Sequence, residues 1–143
     1  MRGHRFGRLA AALAAAALLA CQQKSPEEDL MKKVEPVGSW LATLEMSGQK
    51  WAANSVPTSF VKNATSAARK QLEKSAKEVT KSPARPEVRN PVRQVIVEAQ
   101  TASAGLRQAV EANDRPRLAQ EVARLAGLHT RFEALQKAVE GPP

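Results

Sequence analysis

Apolar residues recur at steps of three and four positions along most of the chain, from residue 30 to residue 139. This spacing places their side chains on one face of an α-helix, with polar residues on the other faces. Prolines and turn-forming residues divide the pattern into four segments. The short run 95–97 has the composition of a β-strand, but the length of the surrounding segment favours a helix. The pattern therefore predicts four amphipathic helices and no sheet.

The segments begin at recognisable signals. Ser25 is placed as the N-cap of the first helix, with Pro26 in its first turn and Glu28 at the capping-box position. Pro36 interrupts this segment, so the helix either kinks there or begins there. Asp114 is predicted to cap the last helix. The three later helices are predicted over residues 58–81, 86–112 and 114–140.

Each segment carries a single apolar stripe. The stripe positions are Leu30, Val34, Val37, Leu41, Leu44, Gly48 and Trp51; Val61, Ala64, Ala68, Leu72, Ala76 and Val79; Val88, Val92, Val95, Ala99, Ala102, Leu106 and Val110; and Leu118, Val122, Leu125, Leu128, Phe132, Leu135 and Val139. Short connections force neighbouring helices to be antiparallel, and each stripe needs another to cover it. The sequence thus predicts an all-α fold, an antiparallel up-down-up-down four-helix bundle over residues 30–143. We expect a packed interior, with an open groove for a ligand or partner as the alternative.

The first 21 residues have a different pattern from the rest of the chain. Arg2, Arg5 and Arg8 precede an uncharged run from Leu9 to Ala20, which is the arrangement of a secretory signal. The run is twelve residues long. Roughly 20 apolar residues are needed to cross a bilayer, so it is too short to span one. The run ends in Leu18-Leu19-Ala20-Cys21, and these four residues resemble the lipobox of bacterial lipoproteins.

This resemblance implies that Cys21 is acylated, with palmitate among the lipids expected there, and becomes the first mature residue. Residues 1–20 would be a cleaved signal peptide, and residues 21–29 the lipidated cysteine with a short tether. Leu19 departs from the smaller residues usual at its position. Gln22 stands where an Asp would indicate retention at the inner membrane. The expected location is therefore the cell envelope, on the periplasmic side of the outer membrane in a Gram-negative cell.

Positive charge is concentrated in the middle of the chain. The formal net charge is +8, and loss of the three signal-peptide arginines leaves +5. Between residues 50 and 93 there are ten basic residues against three acidic ones. Four of them are spaced to share one face of the second helix: Lys70, Lys74, Lys77 and Lys81. They form either the solvated side of that helix or a contact for an anionic envelope component or an envelope protein. Nucleic acid is not expected as a partner, because the chain is exported and Phe60 is the only aromatic residue near the stripe.

Residues for catalysis or metal binding are scarce. His129 is the only histidine outside the signal peptide, so neither a His-rich nor a Cys/His metal site can be built. The chain has no glycine-rich phosphate loop and no nucleophile elbow. Serine and aspartate accompany His129, but such sets occur in most chains. We therefore expect neither enzymatic activity nor a bound cofactor.

A haem or small-ligand carrier is the alternative from a different functional class. Small periplasmic bundles can hold haem between a methionine and a histidine, and this chain offers Met31, Met46 and His129. In an antiparallel pairing, the two methionines would be offset from the histidine by roughly 13 and 9 Å along the bundle. Neither methionine lies on an apolar stripe. The preferred prediction is therefore a lipid-anchored, non-enzymatic envelope protein that acts by binding or scaffolding.

Overall fold

The computed structural model describes residues 23–141, and every regular element within that range is an α-helix. The helices are α1 (Pro26–Lys33), α2 (Pro36–Ala52), α3 (Thr58–Lys81), α4 (Pro86–Glu111) and α5 (Arg115–Glu140). The last four are long, and they correspond to the four predicted segments. The prediction of an all-helical fold with a helical bundle is confirmed. The lipobox and Cys21 lie outside the described residues.

Local signals set the helix boundaries. Ser25 Oγ accepts a hydrogen bond from the Glu28 backbone N–H at 3.1 Å, as an N-cap does. The Asp114 carboxylate accepts one from the Arg117 N–H at 3.1 Å, which confirms the predicted start of the last helix. At Pro36 the first segment divides into two helices, α1 and α2. Proline has no N–H to continue the ladder of backbone hydrogen bonds, so a new helix begins there.

The long helices enclose one hydrophobic core. Helix α3 packs against α2 and α4, and α5 packs against α4 and α2, so each long helix has two long neighbours. Helix α1 contacts α3 and α5. Every predicted stripe residue is buried or half-buried. The largest fully buried side chains include Leu41, Leu72, Ile96, Leu125 and Phe132. Burial of this apolar surface is the main stabilising contribution.

Specific contacts hold the two ends of α3 to neighbouring segments. Near its first residue, Trp51 Nε1 donates a hydrogen bond to Thr58 Oγ1 at 3.1 Å. Beyond its last residue, the backbone N–H and Nε of Arg85 donate to Glu27 Oε1 at 3.1 and 2.9 Å. The second contact joins the α3–α4 connection to the first turn of α1. The start of the described chain therefore lies beside the C-terminal end of α3.

Candidate functional site

The four lysines singled out by the sequence form one continuous surface, which we call the lysine face: Lys70, Lys74, Lys77 and Lys81. All four side chains are exposed. Their spacing confines them to about 60° of arc around α3. The core residues of α3, such as Val61, Leu72 and Val79, lie on its opposite side. The lysine face is therefore the outermost side of this helix.

No carboxylate forms an ion pair with the lysine face within the part of the chain that the structure describes. None of its four ammonium groups lies within 4.0 Å of an acidic oxygen, as judged by the ion pairs present among residues 23–141. Helix α3 has two acidic residues, and both have other cationic neighbours. Glu73 lies 3.8 Å from Arg69. Glu78 adds a small electrostatic contribution to the main effect of Asp29, which raises the pKa of Lys33 on α1.

The two other cations of α3 differ from the lysine face. Lys62 Nζ lies 3.8 Å from the Glu111 carboxylate on α4, and Arg69 has Glu73 on its own helix. Both are on the side of α3 that turns toward α4. Lys62 and Arg69 therefore each have an ion-pair partner, whereas the lysine face has none among residues 23–141. Free positive charge on α3 is concentrated in its C-terminal half.

A groove lined mostly by polar residue types lies between α3 and α4. It has a volume of about 360 Å³ and is lined by Thr65, Ser66, Arg69, Gln100, Ser103, Ala104 and Arg107. Arg107 spans the groove: its Nη1 donates to Ser66 Oγ at 2.8 Å, and its Nε donates to Glu111 at 3.1 Å. The spacing of residues in the sequence does not predict this groove. Its only sequence signal is the set of hydroxyl residues on facing sides of the two helices.

The residues of the haem alternative do not form a common site. Met31 is 6% exposed and belongs to the core, so the expectation that it lies off the apolar surface is wrong. It lines a groove between α1 and α5 to which neither Met46 nor His129 contributes. Met46 is 40% exposed. His129 Nε2 lies 3.5 Å from Glu133 on its own helix. The methionines therefore differ in environment, and the histidine has a local carboxylate neighbour.

Within residues 23–141, no group of three or more histidine, cysteine, aspartate or glutamate side chains is arranged to hold a metal ion. Over the same range, none of the helices combines the length and apolar character required to cross a bilayer. Comparison with protein family models, curated proteins and solved structures gives no match to this chain. The lysine face, with four exposed cations and no ion pair among the described residues, is therefore the candidate site.

Proposed function

We propose that this protein is a lipid-anchored, non-enzymatic component of the bacterial cell envelope that acts by binding or scaffolding through the lysine face. One observation carries the proposal: the four lysines are exposed on one side of α3, without a carboxylate partner among residues 23–141. The solvent-exposed side of an amphipathic helix must be polar, but mixed charges or neutral polar residues are sufficient for that. A row of free cations attracts anions in addition.

The partner chemistry follows from the lysine side chain. An ammonium group is a compact charge on a flexible stem, so it suits surfaces rich in phosphate or carboxylate groups and requires no fixed geometry. In the envelope, such surfaces are phospholipid head groups, lipopolysaccharide, cell-wall polymers and acidic proteins. Near an anionic membrane, each lysine contributes about 1 kcal/mol of binding free energy. Three lysines in contact would strengthen binding by more than about a hundredfold.

The anchor half of the proposal rests on the lipobox resemblance at Cys21. Two acyl chains hold a protein stably on a membrane, whereas a single chain binds only marginally. Changing Cys21→Ala removes the thiol that would be acylated. We expect this variant to lose incorporation of labelled palmitate and partition into detergent. A variant that still incorporates palmitate would contradict the anchor.

The binding half can be tested on a chain that lacks residues 1–21. Every member of the core cluster lies between Leu30 and Val139, so this chain keeps the complete core. Cosedimentation with anionic vesicles, neutral vesicles and cell-wall sacculi would be measured for the wild type. The same measurements would be made for a lysine-face variant, in which Lys70, Lys74, Lys77 and Lys81 are all changed to Gln.

We expect the wild type to bind at least one anionic surface and the lysine-face variant to bind it more than about a hundredfold less tightly. Wild-type binding should weaken steeply with salt, since the Debye length falls from about 10 Å at 0.1 M to about 3 Å at 1 M. If wild type and variant bind alike, or if neither binds at low salt, the lysine face is only the solvated side of α3.

We also infer that the helices follow the antiparallel up-down-up-down topology. The contacts between α2 and α5 support it. A Cβ atom built on Gly38 would lie 3.2 Å from Phe132, and one built on Gly48 would lie 2.6 Å from Val122. Residue numbers thus rise along one helix as they fall along the other. With this topology, the N-terminal tether and the C-terminal end of α3 share one end of the bundle.

A further inference from the structure

The lysine face and the start of the folded chain lie at the same end of the molecule. Ser25 caps α1, and Glu27 in the first turn of that helix accepts two hydrogen bonds from Arg85. Arg85 follows Lys81 by four residues across the α3–α4 connection. The last lysine of the face is therefore close to the point where the chain leaves the bundle toward Cys21.

The part of the tether that precedes α1 is short, because α1 begins at Pro26. Ser25 follows Cys21 by four residues, and a fully extended chain covers at most about 3.6 Å per residue, or roughly 14 Å in all. A lipid on Cys21 would hold this end of the bundle within that distance of the head groups. The lysine face itself is about 16 Å long, at 1.5 Å rise per residue. If the bundle stood on its end, Lys70 would lie well beyond a Debye length of about 10 Å.

The bundle could meet the membrane with its tethered end or with the side of α3, and these two surfaces differ in charge. The end of the bundle has mixed charge, because Lys24, Glu28 and Glu140 line one groove there and Glu27 is paired with Arg85. The side of α3 carries four lysines without a carboxylate contact among the described residues. An anionic surface therefore attracts the side of the bundle more strongly than its end.

We propose that the bundle lies along the membrane that holds its own lipid anchor, with the lysine face against anionic phospholipid head groups. This inference rests on the proposed function, and it specifies the partner and the orientation. The tether makes the contact intramolecular, so the effective concentration of head groups at the lysine face is high. An acyl anchor together with a cluster of basic residues is an established combination for stable membrane attachment. The protein would then present α5 and its neighbouring surfaces away from the bilayer.

Amine labelling of the full-length acylated protein tests this orientation. The protein would be reconstituted into liposomes of phosphatidylcholine alone or mixed with phosphatidylglycerol. After treatment with an amine-acylating reagent, modification of each lysine would be quantified by mass spectrometry. Lys50 is the internal reference, since it is exposed and lies in the last turn of α2, away from the tethered end. Lys137 on α5 is a second exposed reference.

We expect all four lysines of the face to be modified at least about threefold more slowly in the phosphatidylglycerol liposomes, with similar protection of Lys70 and Lys81. Protection should disappear at 1 M salt, where the Debye length is about 3 Å. Protection confined to Lys81 would mean that the bundle stands on its end and would overturn the inference. Equal protection in both kinds of liposome would overturn it as well, because the contact would not depend on anionic lipid.

A further condition of the labelling experiment distinguishes failure of this inference from failure of the proposed function. The same labelling would be done on detergent-solubilised protein with and without cell-wall sacculi. Protection by sacculi but not by phosphatidylglycerol would overturn the membrane contact, while the lysine face would remain an anion-binding surface. Absence of protection in every arm would contradict both proposals. Protein that does not float with either liposome would contradict the lipid anchor.

Discussion

Arg115 and Arg131 carry the same charge as the lysines of the lysine face but make different contacts. Arg115 donates hydrogen bonds to the Ala52 carbonyl at 2.8 Å and to Asn54 at 2.9 Å, and its guanidinium lies 5.0 Å from the centre of the Trp51 ring. Arg131 pairs across helices with Glu98 at 2.6 Å. The lysine face of α3 makes no ion pair at all within the described residues.

The difference follows from side-chain chemistry. A guanidinium presents several donors in a rigid plane, so one arginine can satisfy a carbonyl, an amide and an aromatic ring together. An ammonium group is strongly hydrated and mobile, and it gains little from one exposed partner. Arg115 and Arg131 join one helix to another segment of the bundle. The four lysines of the lysine face form no ion pair among residues 23–141, so their charges are available to a partner.

The largest effect should come from the interior, far from either set of charges. Leu125 is fully buried, and we predict that Leu125→Ala lowers the free energy of unfolding by about 2 to 5 kcal/mol. The matched control is Leu135→Ala on the same helix, where the side chain is only half-buried and the loss should be smaller. Denaturant unfolding measures both. Unchanged unfolding of Leu125→Ala would mean that this stripe is not covered.

Close helix packing should give the next effect. A Cβ on Gly48 would lie 2.6 Å from Val122 and 3.0 Å from Leu106, so we predict that Gly48→Ala destabilises the fold by about 1 to 3 kcal/mol. Gly127 is the matched control, because a Cβ there meets nothing within 4 Å. Gly127→Ala should instead stabilise α5 by about 0.5 to 1 kcal/mol. Thermal unfolding of the two variants should shift in opposite directions.

The contrast between arginine and lysine can be tested directly at Arg115. We predict that Arg115→Lys, which keeps the charge, lowers the free energy of unfolding by about 1 kcal/mol, because the paired hydrogen bonds and the ring contact are lost. Changes at exposed positions without such contacts usually stay within about 0.5 kcal/mol. Arg124→Lys should behave that way, since Arg124 makes no hydrogen bond or ion pair within residues 23–141. An equal loss in the free energy of unfolding for the two variants would contradict the claim that the contacts of Arg115 require a guanidinium group.

The smallest effect concerns the contact beside the tether, and it depends on pH. The hydrogen bond from the Arg85 backbone N–H, followed by smaller effects that include the Arg85 guanidinium, lowers the pKa of Glu27 below its ordinary value of 4.5. A lowered pKa means that the contact stabilises the fold above pH 4.5 and that this contribution is lost as pH falls through the pKa of the folded state. We therefore expect the difference in Tm between wild type and Glu27→Ala to shrink below about pH 4.5. A difference that grows in acid would contradict the contact.

The spacing of apolar residues in the sequence predicts most of this fold, but it does not predict the burial of several hydroxyl residues. The caps at Ser25 and Asp114 and the apolar stripes are local signals, so they were predictable. The buried hydroxyl residues were not predicted, because a serine or threonine next to an apolar stripe is expected at the boundary between the core and the solvent. Thr65 Oγ1 donates to the Lys62 carbonyl at 3.0 Å and Ser47 Oγ to the Thr43 carbonyl at 2.7 Å. Each hydroxyl is satisfied by its own helix, which permits its burial without a distant partner.

The candidate site was only half predictable. Spacing alone places the four lysines on one face of a helix. Spacing cannot show whether nearby carboxylates neutralise them, because Glu73 and Glu78 lie within one helical turn of several of these lysines. In the structure Glu73 lies 3.8 Å from Arg69, and neither Glu73 nor Glu78 forms an ion pair with a lysine of the lysine face among residues 23–141. The contact between Glu27 and Arg85 joins residues 58 positions apart, and no local pattern predicts it.

Two variants of equal net charge give the most direct test of the lysine face. The first is the lysine-face variant. The second, a scattered variant, changes four exposed cations elsewhere to Gln: Lys50, Arg93, Arg124 and Lys137. We predict that the lysine-face variant loses more than about a hundredfold in affinity for anionic vesicles, whereas the scattered variant loses less than about tenfold. Equal losses in the two variants would show that binding follows net charge alone, and would contradict a specific role for this surface.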